Sequence, residues 1–111
     1  MCLSGKIRIK KILKSKAIIA YKVVEYDGDM KRYSPLYFDD KPLKCGVSIT
    51  DEPGYHAYCN KKDAFKNERI WNTRRTIVVR LWGTVRYGKQ TIYNAVSATH
   101  MEIKSFEGIK K

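Results

Sequence analysis

The segment 74–87 alternates apolar and polar residues, and this pattern constrains the fold more than any other feature of the chain. Side chains of a β-strand point alternately to its two faces, so the alternation predicts a half-buried strand. Gly83 lies inside the segment and predicts a bulge or a tight bend. The apolar positions are Ile77, Val79, Leu81, Val85 and Tyr87. The polar and basic positions, with one aromatic, are Arg74, Thr76, Arg80, Trp82, Thr84 and Arg86.

A hairpin is predicted earlier in the chain. Residues 17–26 are rich in β-branched and aromatic side chains and end at Asp27-Gly28, a dipeptide that favours tight turns. The return strand is expected over residues 31–38. Pro35 lies within it and belongs at a strand end, an edge or a bulge, because proline has no amide donor.

Further strands complete the predicted sheet. A short strand is expected around residues 46–50. A turn at 87–90 predicts a partner strand from Thr91 onward, and residues 95–103 either extend it or form a final strand.

One helix is predicted over residues 61–71, a segment without glycine or proline. Asn60 is a favourable N-cap, and Asp63 lies in the first turn, where a negative charge stabilises a helix. We expect the helix to pack on the sheet through an apolar surface. The residues of that surface are Ala64, Phe65, Ile70 and Trp71.

These elements indicate an α+β fold with a curved, mostly antiparallel sheet and one helix packed on it. A chain of 111 residues has the size of one domain. We therefore predict a single domain over residues 1–111, with an α+β core over 17–105 and a basic N-terminal arm or edge strand over 1–16.

The N-terminal segment carries a large share of the positive charge, because residues 1–16 hold six lysines and arginines and no acid. Ile7 and Ile9 alternate with Lys6, Arg8 and Lys10, which favours a strand with one basic face. Lysines on an edge strand either prevent aggregation or contact phosphates, and the pattern leaves both roles open.

The charge of the whole chain indicates the class of partner. It contains 23 Lys and Arg against 11 Asp and Glu, which gives a net charge of +12. A field of that sign attracts nucleic acid, a phosphorylated nucleotide or an acidic protein, although it also serves solubility alone. No apolar run is long enough for a membrane span, so no membrane partner is expected.

The three cysteines are an odd number without CxxC spacing, which argues against a disulfide framework and against a zinc site. A reducing, cytoplasmic location follows from this. We predict no metal, no cofactor and no catalytic residue, although Cys2 becomes an N-terminal thiol nucleophile if Met1 is removed.

The predicted nucleic-acid surface combines the arm with the basic face of the 74–86 strand. Arginines two residues apart on a strand are separated by roughly 7 Å, comparable to the phosphate spacing of nucleic acid. Trp82 on the same face either stacks on a base or is covered by the helix or by the basic arm. The candidate residues are Lys6, Arg8, Lys10, Lys11, Lys14, Arg74, Arg75, Arg80, Trp82, Arg86 and Lys89. His56 is either a structural histidine or a group that contacts a phosphate in a pocket.

Three segments resemble a group of small uncharacterised domains of phages and bacteria. They are a Gly-aromatic-His segment at Gly54-Tyr55-His56, an Asp-Ala pair that opens a helix at Asp63-Ala64, and a Val-rich strand with Gly-x-Val at 78–85. The resemblance covers about residues 17–87. It implies a phage-type accessory or anti-defence protein that acts in the host cytoplasm.

The order of elements is also loosely similar to ADP-ribosyltransferase-like domains. That similarity implies a pocket lined by Tyr21, His56 and Tyr58, with Glu102 as the counterpart of the late catalytic glutamate.

The leading functional prediction is a non-enzymatic module that binds a polyanion, and nucleic acid is the polyanion that we predict first. The alternatives are a pocket for a phosphorylated nucleotide or second messenger, an inhibitor that docks on an acidic protein, and a diverged transferase.

Overall fold

The computed structural model describes residues 3–27, 32–35, 43, 45–51, 53–70, 72–90 and 92–106. These residues form seven strands, one α-helix and a short 3-10 turn at Lys14–Lys16. The predicted α+β class, a mostly antiparallel sheet with one helix packed on it, is confirmed. In chain order the elements are β1 Ser4–Ile12, β2 Ile18–Asp27, β3 Arg32–Pro35, β4 Gly46–Ile49, β5 Tyr55–Tyr58, α1 Lys61–Glu68, β6 Arg74–Gln90 and β7 Tyr93–Ile103.

The two longest strands organise the sheet, whose order is β1-β6-β2-β5-β7-β4, with β3 paired to β2. A further antiparallel pairing joins β6 to β7. Strands β6, β2, β5 and β7 therefore form a closed ring of pairings. β1 lies outside that ring and continues the sheet beyond the C-terminal half of β6.

A bulge in β6 bends the sheet where the two halves of the strand meet. The register between β6 and β7 shifts between Trp82 and Val85, and Gly83 has a φ of 87°. A Cβ atom at Gly83 would overlap the side chains of Thr99 and His100. The bulge predicted at Gly83 is confirmed, and both its backbone angle and its contacts require glycine.

The ring encloses the main hydrophobic core. Its largest fully buried side chains include Ile77 and Leu81 of β6 and Met101 of β7. The predicted apolar face of β6 therefore lies inside the ring. Burial of each such side chain contributes about 1.5–3 kcal/mol, so these strands hold the ring closed.

Helix α1 packs on the outside of β2 and β5. Ala64 is fully buried there in a small cluster with Val23 and Tyr58. Asn60 has the extended backbone of an N-cap, but its side chain makes no cap hydrogen bond and instead lies 3.4 Å from the Asp63 carboxylate.

The helix ends at Glu68, earlier than predicted. Glu68 accepts a hydrogen bond from the Thr76 amide at 2.8 Å, and Arg74 donates to the Asn67 carbonyl at 3.0 Å. These contacts tie the last turn to the start of β6. Ile70 is 62% exposed, so the prediction that it supplies apolar packing surface is wrong. Trp71 lies outside the described residues.

The structure contains the predicted pairing of β2 with β3 and the predicted pairing of β6 with its partner strand β7. β2 and β3 pair with Asp27 opposite Arg32, so the return strand is present over Arg32–Pro35, while residues 31 and 36–38 of the predicted strand lie outside the described residues. The turn predicted at 87–90 is wrong, because β6 continues to Gln90, which lies opposite Tyr93. The two segments from Thr91 to 103 form one strand from Tyr93. Within the described residues, no helix is long and apolar enough to cross a membrane.

Candidate functional site

The basic N-terminal segment forms an edge strand of the sheet. Among the described residues β1 pairs only with β6, with Arg8 opposite Tyr87 and Lys10 opposite Val85. Paired residues share a face, so the two cations lie on the same side as Tyr87. Lys6 shares a groove with Arg8 on that side. We call Lys6, Arg8 and Lys10 the basic row.

Lys6 and Arg8 of the basic row line a groove of about 320 Å³ at one end of the closed ring. Among the described residues, three cationic side chains, those of Lys6, Arg8 and Lys89, and no acidic one line it. The walls come from β1, from the end of β6, from the start of β7 and from the junction of β5 with α1. The lining residues are Lys6, Arg8, Cys59, Asn60, Tyr87, Gly88, Lys89, Asn94 and Ala95.

Backbone pairing holds the walls of the groove in place. Lys89 lies opposite Asn94 of β7 and opposite Ser4 of β1, which joins three strands at this point. The Cys59 amide donates to the Asn94 carbonyl at 3.0 Å, so the β5–α1 junction is fixed to the start of β7. The cationic residues of the groove therefore lie on paired strands, and a loop does not determine their positions.

An aromatic ring supports the basic row. The Arg8 guanidinium lies 5.8 Å and the Lys10 ammonium 5.9 Å from the centre of the Tyr87 ring. Cations at this distance from an aromatic face are attracted by the ring quadrupole. The Tyr87 ring therefore stabilises the Arg8 and Lys10 side chains in positions close to the groove.

The two titratable neutral groups of the groove stay uncharged near neutral pH. Burial raises the pKa of the Cys59 thiol, and the Asp63 carboxylate raises it further. Burial also raises the pKa of Tyr87, with a smaller contribution from Cys59 and an opposite one from Arg8. A thiol with a raised pKa holds little thiolate near neutral pH, so Cys59 is a poor nucleophile.

The predicted stacking surface on β6 is not open. Trp82 is 6% exposed, and its ring lies 5.5 Å from the His100 ring and 5.6 Å from the Lys14 ammonium. Of the two predicted roles of Trp82, the structure therefore agrees with the covered side chain and not with an open stacking face. Trp82 lies opposite His100 of β7, and Lys14 of the 3-10 turn lies over its ring.

The arginines on the same half of β6 are engaged by other groups of the protein. Arg80 forms an ion pair with Glu102 at 3.0 Å. Glu102 is the residue that the similarity to ADP-ribosyltransferase-like domains matches to the late catalytic glutamate, and its carboxylate is engaged in this pair. Arg74 donates to the Asn67 carbonyl, and Arg75 donates to the Phe106 carbonyl at 3.1 Å. Beyond the bulge, Arg86 is exposed on the face opposite the groove.

Of the predicted pocket residues Tyr21, His56 and Tyr58, the structure places Tyr21 directly opposite Tyr58 in the pairing of β2 with β5. Tyr58 is buried beneath α1, where its ring makes an edge contact with Tyr93 at 6.0 Å and its hydroxyl accepts a bond from Gln90. Tyr21 packs against the same cluster. None of the three predicted residues lines the groove.

His56 has a structural environment. Its Nδ1 lies 3.0 Å from the Gly54 carbonyl. Burial lowers the pKa of His56 to about 4, and the charge of Lys22 adds to that effect. The imidazole is therefore neutral at pH 7, and Nδ1–H donates to Gly54. A neutral histidine adds no positive charge for a phosphate.

A buried lysine is the least expected feature of the core. Lys22 shares the interior face of β2 with Ala20 and Val24 and is 5% exposed. Its Nζ donates to the His56 carbonyl at 2.6 Å. Desolvation lowers the pKa of Lys22 to about 8. Strand alternation alone could have indicated this placement, because Ala20 and Val24 are two residues away on either side.

Several groove residues had no signal in the sequence. Cys59, Asn60 and Asn94 are brought together only by the pairing of β5 with β7, which the sequence pattern does not specify. Within the described part of the chain, no cluster of three or more His, Cys, Asp or Glu residues is suited to a metal ion. Cys45 is exposed and Cys59 half-buried, and both thiols are free. Cys2 lies outside the described residues.

No family model, curated protein or solved structure matches the chain. The resemblances to phage and bacterial domains and to ADP-ribosyltransferase-like domains therefore stay predictions.

Proposed function

We propose that this protein binds single-stranded nucleic acid through the groove and the basic row. The observation that carries the proposal is the convergence of Lys6, Arg8 and Lys89 on one groove, with no acidic side chain among the described residues that line it. Like charges held close together on paired strands repel one another unless an anion lies between them. A phosphate is the anion that such a cluster fits.

The strand geometry favours a chain of phosphates. Side chains on one face of a strand repeat at roughly 7 Å, so Arg8 and Lys10 match neighbouring phosphates of an extended strand. The charge continues past β1 with Lys14 and Lys16, both exposed at the 3-10 turn. A strand that places one phosphate in the groove therefore meets further cations along its path.

The mode of recognition follows from which groups are exposed. Because Trp82 is buried, the β6 face offers no open ring on which a base can stack. We therefore expect the affinity to come mainly from neutralisation of phosphates, with little dependence on base sequence. Such binding weakens steeply as salt is added.

A phosphorylated nucleotide is the second candidate, and the bounded shape of the groove favours it. A volume of about 320 Å³ lies at the lower end of the range for small-molecule sites, roughly 300–1,000 Å³. Asn60 and Asn94 supply amide groups at the wall, which can hydrogen-bond a base or a sugar.

Fluorescence anisotropy tests the proposal with single-stranded DNA, single-stranded RNA and duplex probes titrated with the full chain. Three or four phosphate contacts give a slope of log affinity against log salt of about −2 to −3 for a single strand. The groove variant changes Lys6, Arg8 and Lys89 to glutamine. The control variant, of equal charge, changes Lys66, Arg69 and Lys104, which are exposed and do not line the groove.

We expect the groove variant to lose most of the affinity and most of the salt slope, while the control variant keeps both. Equal losses in the two variants would show that only the net charge acts, and the proposal would be wrong. Full displacement of the oligonucleotide by a mononucleotide at similar concentration would favour the second candidate.

A further inference from the structure

The outer edge of β1 presents a second surface that phosphate binding does not explain. Ile7 and Ile9 alternate with the basic row and are 44% and 61% exposed. Ile9 lies opposite Arg86, on the other face of β1 from Arg8. We call Ile7 and Ile9 the apolar row. Phosphates gain nothing from such side chains, so the apolar row indicates a different partner.

The backbone of β1 is suited to accept another strand. Its register with β6 is unbroken from Arg8 to Ile12, and among the described residues no other strand pairs with it. A regular edge presents amide and carbonyl groups that an added strand can pair with. Proteins protect such edges with lysines, but protection does not require exposed isoleucines between the lysines.

We propose that β1 accepts an extended acidic segment of a partner protein as an additional strand. The added strand would place carboxylates opposite Arg8 and Lys10 on one face and an apolar side chain opposite Ile9 on the other. Cross-strand pairs of opposite charge and pairs of β-branched residues both stabilise a sheet. The partner segment therefore alternates acidic and apolar residues.

A second copy of this chain fits the edge less well. Antiparallel pairing of β1 with itself about a two-fold axis places residues of the basic row opposite residues of the basic row. Like charges directly opposite one another destabilise a pair of strands. The charge of β1 thus favours an acidic partner over self-association.

The test uses a fluorescein-labelled peptide of alternating glutamate and valine, about nine residues long to match a full strand. Two control peptides accompany it. One has the same composition with its glutamates and valines in separate blocks. The other keeps the alternating order but carries N-methyl groups on alternate amides along one edge, which removes backbone donors without changing charge.

Binding to the full chain is measured by anisotropy near physiological salt. We expect both control peptides to bind about tenfold more weakly than the alternating peptide, a difference of about 1.4 kcal/mol. Equal affinity of the N-methylated peptide would show that charge alone acts and would overturn the proposal. Absence of binding by the alternating peptide would overturn it as well.

A pair of variants locates the site. Ile7→Ser with Ile9→Ser removes the apolar row, and Ile19→Ser with Ile92→Ser removes two isoleucines that are also exposed but lie off β1. We expect only the first variant to lose peptide affinity, by about tenfold, while its affinity for oligonucleotides stays unchanged. Loss in both variants or in neither would contradict the assignment to β1.

Amide hydrogen exchange gives a readout that does not depend on affinity. The peptide should protect outward-facing amides between Arg8 and Ile12, because pairing slows their exchange. Protection of these amides by an oligonucleotide but not by the peptide would overturn the proposal. A free protein that sediments as a dimer, and as a monomer in the Ile7→Ser, Ile9→Ser variant, would assign the edge to a second copy instead.

Discussion

The two halves of β6 carry similar side chains in different surroundings. Before the bulge, Arg80 and Trp82 stand beside Glu102, His100 and Lys14, which neutralise the charge and cover the ring. After the bulge, Tyr87 lies opposite Arg8 of β1, and the charged side chains that line the groove among the described residues are Lys6, Arg8 and Lys89. Alternation of arginine with an aromatic residue therefore does not decide which half can bind an anion. The charge of the neighbouring strand decides it.

The bend at Gly83 separates the two halves, and its loss should have the largest effect. In Gly83→Ala the new Cβ overlaps Thr99 and His100, and the backbone keeps a positive φ. We expect the free energy of unfolding to fall by about 3 kcal/mol or more, measured by urea denaturation. Gly46→Ala is the control, because φ there is also positive but no atom lies within 4 Å of the new Cβ. A similar loss in both variants would mean that only the backbone angle matters.

Lys22 is a cation in a third kind of surroundings, because it is buried inside the ring of strands, whereas Lys6, Arg8 and Lys89 line the groove at one end of the ring. Its pKa is lowered from 10.5 to about 8, so its charged form destabilises the folded state at pH 7. We expect Lys22→Met to raise the free energy of unfolding at pH 7 by roughly 2 kcal/mol. This net gain allows for the hydrogen bond to the His56 carbonyl that the substitution removes.

The pH dependence of Lys22 has a definite sign. Between pH 8 and pH 10.5 the unfolded chain holds the Lys22 proton more tightly than the folded chain, so stability rises with pH in that window. Urea denaturation across the window should therefore show the advantage of Lys22→Met shrinking as pH rises. An advantage that is independent of pH would contradict the lowered pKa.

His56 gives a smaller effect on the acid side. Its pKa is lowered from 6.5 to about 4, so the unfolded chain takes up the His56 proton first as the pH falls. Stability should decrease between pH 6.5 and pH 4, and His56→Gln should remove that part of the decrease. Thermal unfolding at several pH values measures the difference. An identical decrease in the variant would show that other groups cause it.

The smallest effect is expected at Arg80. Because this guanidinium already pairs with Glu102 in a partly exposed bridge, Arg80→Gln should cost less than about 1 kcal/mol of stability. Its oligonucleotide affinity should stay within about twofold of the wild-type value. A loss comparable to that of the groove variant would show that the first half of β6 also contacts nucleic acid.

Local pattern predicted most of the fold. The alternation in 74–87 identified β6 and its buried face, and Gly83 identified the bulge, because both depend on neighbours in the chain. The predicted end of α1 was wrong because Glu68 and Arg74 join the last turn of the helix to the start of β6 through hydrogen bonds that no local pattern encodes. The turn at 87–90 was wrong because Gly88 is a lining residue within a paired strand rather than a turn residue.

The site was harder to predict than the fold. Lys6, Arg8 and Lys89 were among the candidate residues, but so were Arg80 and Trp82, and charge alone could not separate them. That separation required knowing that Glu102 lies opposite Arg80 and that β1 lies opposite Tyr87. Such register is set by long-range pairing, which composition and spacing do not specify.

The most direct test is chemical-shift mapping of the isotope-labelled protein during titration with a short single-stranded oligonucleotide. The proposed function predicts shifts in the amides of Lys6, Arg8, Gly88 and Lys89, with the segment 75–80 unchanged. Shifts concentrated in 75–80, with the groove unchanged, would contradict it and would place binding on the half of β6 that contains the Arg80–Glu102 ion pair.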